Sequence, residues 1–144
     1  MTYLVAYDGS PPSRKALEWA ARRAKAEGAR LRIVTAIPES LQDSFFSTML
    51  LPSLDLTQVV PTGTFEQNAR RRLEELAKEN GLSGAEIGVL KGEAWHAIVE
   101  DAKRTKPDAL VLGVKSYEKV GEFQLGATAE RVVRHAPCTV VIVR

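Results

Sequence analysis

Residues 109–113 read Ala-Leu-Val-Leu-Gly, a nearly continuous apolar run that follows Pro107 and Asp108. A strand buried on both faces has this pattern, whereas a half-exposed strand alternates apolar and polar residues. Four more short apolar runs occur along the chain, at residues 2–7, 31–36, 85–90 and 139–143. The five runs together predict the buried strands of one sheet.

In the segments between these strands, apolar residues recur three and four positions apart, which is the period of an amphipathic helix. The predicted helices cover residues 11–28, 64–80, 93–105 and 128–135. Gly28 and Pro107 are typical of helix ends. Regular alternation of strand and helix predicts one α/β domain over residues 1–144, an open parallel sheet with helices on both faces. Ligands of such folds bind at the carboxyl ends of strands, where the winding reverses.

Composition excludes several classes of protein. The chain has 144 residues, of which 44% are hydrophobic and 26% are charged. This length and composition predict an ordered domain with a hydrophobic core. A net charge of +2 is too small for a nucleic-acid-binding surface. The apolar runs are too short to cross a membrane, and the first residues lack the pattern of a signal peptide. Cys138 is the single cysteine, which excludes an internal disulfide. We expect a cytoplasmic protein without a set of metal ligands.

The segment 38–62 lacks a clear period and is longer than most loops of compact domains. It carries several large apolar side chains, Phe45, Phe46, Met49, Leu50 and Leu51. One interpretation is a cover over the carboxyl end of the second strand, or a surface for a partner. The other is a loop that packs on its own domain.

The first candidate binding segment is Tyr7-Asp8-Gly9-Ser10-Pro11, at the end of the first predicted strand. An acid at this place points into any crevice at the sheet edge. Asp8 would accept hydrogen bonds from a ribose or help to hold a cation, and Gly9 allows a sharp turn. The alternative is that Asp8 and Ser10 are ordinary turn and helix-cap residues.

The second candidate segment, residues 113–128, links the fourth strand to the last helix. Gly113 and Gly126 allow backbone N–H groups to approach a phosphate, and the helix N-terminus adds partial positive charge. Thr128 offers a hydroxyl and Lys115 a positive charge. The alternative is a surface connection that ends in a capped helix.

Four blocks resemble the universal stress protein family, in family order from one terminus to the other. They are residues 4–10, 89–92, 107–113 and 130–143. The resemblance implies a Rossmann-like sheet of the adenine nucleotide alpha hydrolase type, with strand order 3-2-1-4-5. It also implies a homodimer paired through the final strand, residues 139–143. Asp8 would contact the nucleoside, and Ala36 and Leu90 would recognise adenine largely through backbone atoms.

The ATP-binding branch of this family carries Gly-x2-Gly-x9-Gly-Ser/Thr, and this chain keeps the spacing but not all residues. Gly113 and Gly126 match the first and third glycines. Ser116 stands in place of the second glycine, and Ala127 in place of the phosphate-binding hydroxyl. Losing that hydroxyl would cost about 1 kcal/mol of binding, while the backbone donors at the helix N-terminus remain.

Three functions follow from the resemblance and its departures. The first is a dimeric regulatory module that binds ATP or a related adenine nucleotide at Asp8, Gly113 and Gly126, with Mg²⁺ when the nucleotide is bound. The second is a dimeric interaction protein that needs no nucleotide, like the branch without the glycine motif. A slow ATP hydrolase ranks last, because no general base is visible beside the loop; we therefore expect a protein that is not an enzyme.

Overall fold

The computed structural model describes residues 1–38, 65–115 and 125–144. Strands and helices alternate along these parts of the chain as the periodicity predicts. The elements in chain order are β1 (Thr2–Ala6), α1 (Pro11–Glu27), β2 (Arg30–Ile37), α2 (Phe65–Glu79), β3 (Glu86–Lys91), α3 (Ala94–Thr105), β4 (Ala109–Gly113), α4 (Ala127–His135) and β5 (Thr139–Val143). Each predicted element ends within one residue of the observed one. Ser116 and all of the segment 38–62 except Pro38 lie outside the described residues.

The five strands form one parallel sheet in the order β3-β2-β1-β4-β5. The register places Leu4 of β1 beside Arg32 of β2 on one side and Leu110 of β4 on the other. This confirms the expected fold class and strand order. The winding reverses between β1 and β4, which places the expected ligand crevice at the carboxyl ends of these two strands.

Helices cover both faces of the sheet. Because successive strand residues point to opposite faces, Val5 packs with Leu17 of α1 and Leu73 of α2, while Leu4 packs with the residues of α3 and α4. This two-sided burial explains why the central strands β1 and β4 are nearly continuous apolar runs. Within the described residues, no helix combines the length and apolar character needed to cross a lipid bilayer.

A buried ion pair joins the sheet to α3. The Arg32 guanidinium donates from Nε to Asp101 Oδ2 at 2.9 Å and from Nη2 to Oδ1 at 2.8 Å, and the two side chains are 11% and 3% exposed. Burial raises the pKa of Asp101, but hydrogen bonds from Arg32 and Arg104 outweigh it and leave this pKa below its ordinary value. Gly88 makes room for the pair, since a Cβ there would lie 2.6 Å from Arg32 Nη2.

Candidate functional site

A crevice of about 180 Å³ opens at the carboxyl edge of the sheet, where the winding reverses. Ala6 and Asp8 line it from the end of β1, and Leu112 and Gly113 from the end of β4. The first turns of α3 and α4 close its far side. The structure therefore has a crevice at the place where open α/β sheets bind ligands.

Asp8 enters this crevice from a tight turn. The Ser10 N–H donates to Asp8 Oδ1 at 2.9 Å, and Gly9 adopts the left-handed φ of 86° that the turn requires. Ser10 is the N-cap of α1, where its hydroxyl accepts from the Ser13 N–H at 3.4 Å. The turn and cap interpretation thus describes this segment, and Asp8 in addition lines the crevice.

The Asp8 carboxylate is an anionic hydrogen-bond acceptor. Partial burial raises the pKa of Asp8, but hydrogen bonds from Ser10 and Ser13 outweigh this and hold the pKa below its ordinary value. An ionised carboxylate has several acceptor positions, so the bond to Ser10 leaves capacity for a hydroxyl of a ligand.

Gly113 brings β4 into direct contact with the start of α1. A Cβ at this position would lie 1.9 Å from the carbonyl oxygen of Pro12 and 2.8 Å from the backbone nitrogen of Ser13. Real Cβ atoms do not approach backbone so closely, so only glycine fits here. The first glycine of the motif is therefore required by packing, with or without a ligand.

The N-terminus of α4 faces the same crevice. Gly126 is the N-cap residue of α4 and, as a glycine, has no side chain that could accept a hydrogen bond from the first N–H groups of the helix. Thr128 and Ala129 of the first turn line the cavity. The first N–H groups of a helix have no acceptor within the helix and carry partial positive charge. This part of the crevice suits an anionic group, whereas Asp8 supplies a hydrogen-bond acceptor to the same cavity.

Four of the predicted residues line this crevice: Asp8, Ala36, Gly113 and Thr128. An adjoining crevice of about 370 Å³, on the α1 and α2 face, shares Asp8 and Ala36 and adds Gly9. The two cavities flank Asp8 from opposite sides of the sheet.

The other predicted residues lie around the crevice rather than on its wall. Leu90 is the register neighbour of Ala36 and packs against the core on the α3 and α4 face. Lys115 is exposed two residues after β4, and Ala127 is the first residue of α4. Ser116 falls outside the described residues, so its place in the loop stays a prediction.

Sequence reasoning missed several lining residues, among them Ser13, Ala94, Ile98 and Leu112. Ser13 carried a weak signal, since it lies three residues after the N-cap Ser10, where a side chain turns back towards the helix start. Nothing in the sequence indicated Ile98, because the apolar residues of α3 recur with the same helical period whether they line the crevice or the core.

Comparisons with known proteins agree with this geometry. The family model described as universal stress protein family matches residues 1–144. A universal stress protein from Thermus aquaticus is 34% identical and aligns over 99% of this chain and 98% of its own length. The structure of the universal stress protein UspA from Lactobacillus plantarum superimposes with a TM-score of 0.71 at 23% identity, over 100% of this chain and 97% of that one. A universal stress protein solved in complex with cAMP has a TM-score of 0.68 at 26% identity, over 100% and 96%.

Proposed function

Since the chain belongs to the universal stress protein family, we propose that it is a regulatory module that binds an adenine nucleotide in the crevice between β1 and β4. One observation carries the proposal: Asp8 and the N-terminus of α4 line the same cavity. A carboxylate suits ribose hydroxyls, and a helix N-terminus suits a phosphate. The relative solved with cAMP supports this class of ligand.

Each part of the nucleotide has a proposed contact. A ribose hydroxyl donates to the Asp8 carboxylate, and the base lies by the end of β2 near Ala36. Ile98 and Leu112 supply apolar surface between these groups. The phosphate nearest the ribose accepts from the backbone N–H groups that open α4, with the Thr128 hydroxyl as a further donor.

ATP is the proposed nucleotide, with Mg²⁺ bound through its phosphates. Ala127 lacks the hydroxyl of the ATP-binding motif, at a cost of about 1 kcal/mol, or about fivefold in affinity. Binding through the backbone of α4 does not depend on that side chain. We therefore place ATP binding in the micromolar range and expect the other adenine nucleotides to compete for the same crevice.

Isothermal titration calorimetry with ATP, ADP, AMP and cAMP, with and without Mg²⁺, tests the proposal. We expect a 1:1 complex, and Asp8→Ala should weaken it by about tenfold or more through loss of a charged hydrogen-bond acceptor. Glu100→Ala, at an exposed acid on α3, is the matched control and should leave affinity unchanged. The absence of heat at millimolar ATP would overturn the proposal.

A second candidate function is a nucleotide-independent dimer in the cytoplasm. Within the described residues β5 pairs only with β4, and Val140, Val141, Ile142 and Val143 are half-exposed on this edge strand. An uncovered apolar edge favours pairing with a second copy, antiparallel across a two-fold axis. A dimer whose mass does not change with ATP, together with silent calorimetry, would favour this function over the first.

A further inference from the structure

A larger cavity, of about 570 Å³, lies at the opposite edge of the sheet. It opens between the C-terminal ends of α1 and α2, bordered by Gly28 after α1, Asn80 after α2 and Ala85 before β3. Its volume is within the range of small-molecule pockets, about 300–1,000 Å³. Because it faces the amino ends of the strands, it is separate from the crevice at Asp8.

The wall of this cavity is apolar. Ala24 and Leu31 are buried in it, and Ala29, Leu82 and Ala85 are half-buried and pack against the core beneath α1 and α2. The wall is thus an extension of that core towards solvent. Burying it beneath a ligand would add favourable hydrophobic free energy.

Three cations surround this apolar wall. Arg22, Lys25 and Arg30 are exposed and line the cavity, and no carboxylate is among its lining residues. None of the three side chains forms an ion pair with another described residue. Arg30 starts β2 rather than ending a helix, so the cluster is more than a complement to a helix dipole.

Two acidic residues near the cavity, Glu27 and Glu86, contact arginines other than the three cations of its rim. Glu27, in the last turn of α1, pairs with Arg23 at 2.6 Å and accepts the hydroxyl of Tyr3. Glu86, at the start of β3, lies 3.7 Å from the Arg32 guanidinium. These carboxylates therefore do not neutralise the cations of the cavity.

The two helix ends do not cancel the positive charge either. Each C-terminus is equivalent to about half a negative charge, so both together offset roughly one of the three cations. Terminal carbonyls are also capped, since the Ala29 N–H donates to Ala24 O at 2.9 Å and the Leu82 N–H donates to Ala77 O at 2.7 Å. The cavity keeps a net positive rim over an apolar wall.

We propose that this cavity binds a small amphipathic organic anion, a compact apolar body that carries one acidic group. The apolar body would cover Ala24, Leu31 and Leu82, and the acidic group would lie among Arg22, Lys25 and Arg30. This site is independent of the nucleotide crevice, so both ligands bind at the same time.

The probe for the test is 8-anilinonaphthalene-1-sulfonate, which joins a naphthalene body to a sulfonate. Its fluorescence should rise on saturable 1:1 binding to the folded protein, and decanoate should displace it. N-phenyl-1-naphthylamine, which has the same body without the sulfonate, should bind about tenfold more weakly. Saturating ATP should leave the titration unchanged, which separates this site from the nucleotide proposal.

Variants locate the site. Arg22→Gln, Lys25→Gln and Arg30→Gln combined should weaken the sulfonate probe by about tenfold, by analogy with exposed ion pairs. A matched variant with Lys15→Gln, Arg71→Gln and Lys106→Gln, three exposed cations outside the cavity, should bind as wild type does.

Amide chemical shifts observed by NMR give a second measurement that does not depend on any variant. The probe should shift resonances around the cavity, at Gly28, Leu31 and Ala85. Equal binding by the two multiple variants, non-saturable fluorescence, or shifts confined to Asp8 and Gly113 would each overturn the proposal.

Discussion

A Cβ added to Gly113 would lie 1.9 Å from the carbonyl oxygen of Pro12. The end of β4 and the first turn of α1 are therefore in backbone contact at the rim of the proposed nucleotide crevice. This contact alone requires glycine at 113, whether or not the protein binds ATP. In the proposed function, the positions that decide phosphate affinity are Ser116 and Ala127, where the motif departs from its usual residues.

Gly113→Ala should destabilise the fold by about 1–3 kcal/mol, because α1 must move away from β4 to admit the methyl group. Urea denaturation followed by circular dichroism measures the change. Gly84→Ala is the control, since a Cβ at Gly84 meets no atom within 4 Å and its φ is not left-handed. Equal denaturation midpoints for the two variants would contradict the packing argument.

Asp101→Ala should cost about 3–5 kcal/mol of unfolding free energy, because it leaves the Arg32 guanidinium buried without its partner. The neighbouring substitution Glu100→Ala removes an exposed ion pair with Lys103 and should cost less than about 1 kcal/mol. Denaturation curves of both variants at pH 7 test the difference, and comparable costs would show that the buried pair contributes little.

The contribution of Asp101 should depend on pH. Burial raises the pKa of this carboxyl, but hydrogen bonds from Arg32 and Arg104 lower it further, below its ordinary value. The lower pKa in the folded state stabilises the fold above the unfolded pKa of about 3.9, and this stabilisation is lost as pH falls through the folded pKa. The stability gap between wild type and Asp101→Asn should therefore be full at pH 7 and shrink below about pH 4. Urea titrations from pH 3 to 7 measure it; a constant gap would contradict the assignment.

Restoring the ATP motif with Ser116→Gly and Ala127→Ser should tighten ATP binding by about fivefold, because one phosphate hydroxyl donor returns. Calorimetry compares this variant with Ser83→Gly and Ala26→Ser, two exposed positions outside the crevice that undergo the same exchanges. Unchanged affinity in the restored variant would mean that the phosphates bind elsewhere.

Backbone pairing of β5 should hold the proposed dimer together. The carbonyl of Val143 accepts from Val114 on the β4 side, so the N–H of Ile142, one residue earlier, points to the free edge. Ile142→Pro removes that donor and should give a monomer by light scattering at micromolar concentration. Ile142→Ala loses the side chain but keeps the N–H and should stay dimeric. A wild-type monomer would refute the dimer directly.

Local pattern in the sequence predicted much of this protein. The run at 109–113 and its four counterparts predicted every strand in the described parts of the chain, because the strands of a covered parallel sheet are largely apolar and a short window reveals this. Gly28 and Pro107 predicted two helix ends, because the backbone conformation that glycine or proline favours depends on that residue alone. Family-like blocks then predicted the strand order, and four residues of the predicted site line the crevice: Asp8, Ala36, Gly113 and Thr128.

Only the tertiary structure decided which distant residues meet. Arg32 and Asp101 are 69 positions apart, and nothing near either one indicates the other. The motif in the sequence predicts Gly113 as a glycine of a phosphate loop. The structure shows that glycine is required there because a Cβ would clash with the backbone of Pro12 in α1, a helix on one face of the sheet. Ile98 reaches the crevice, and Arg22 and Arg30 share the opposite cavity, because of how each helix lies across the strands. That placement depends on the packing of the whole core, which periodicity along the chain does not encode.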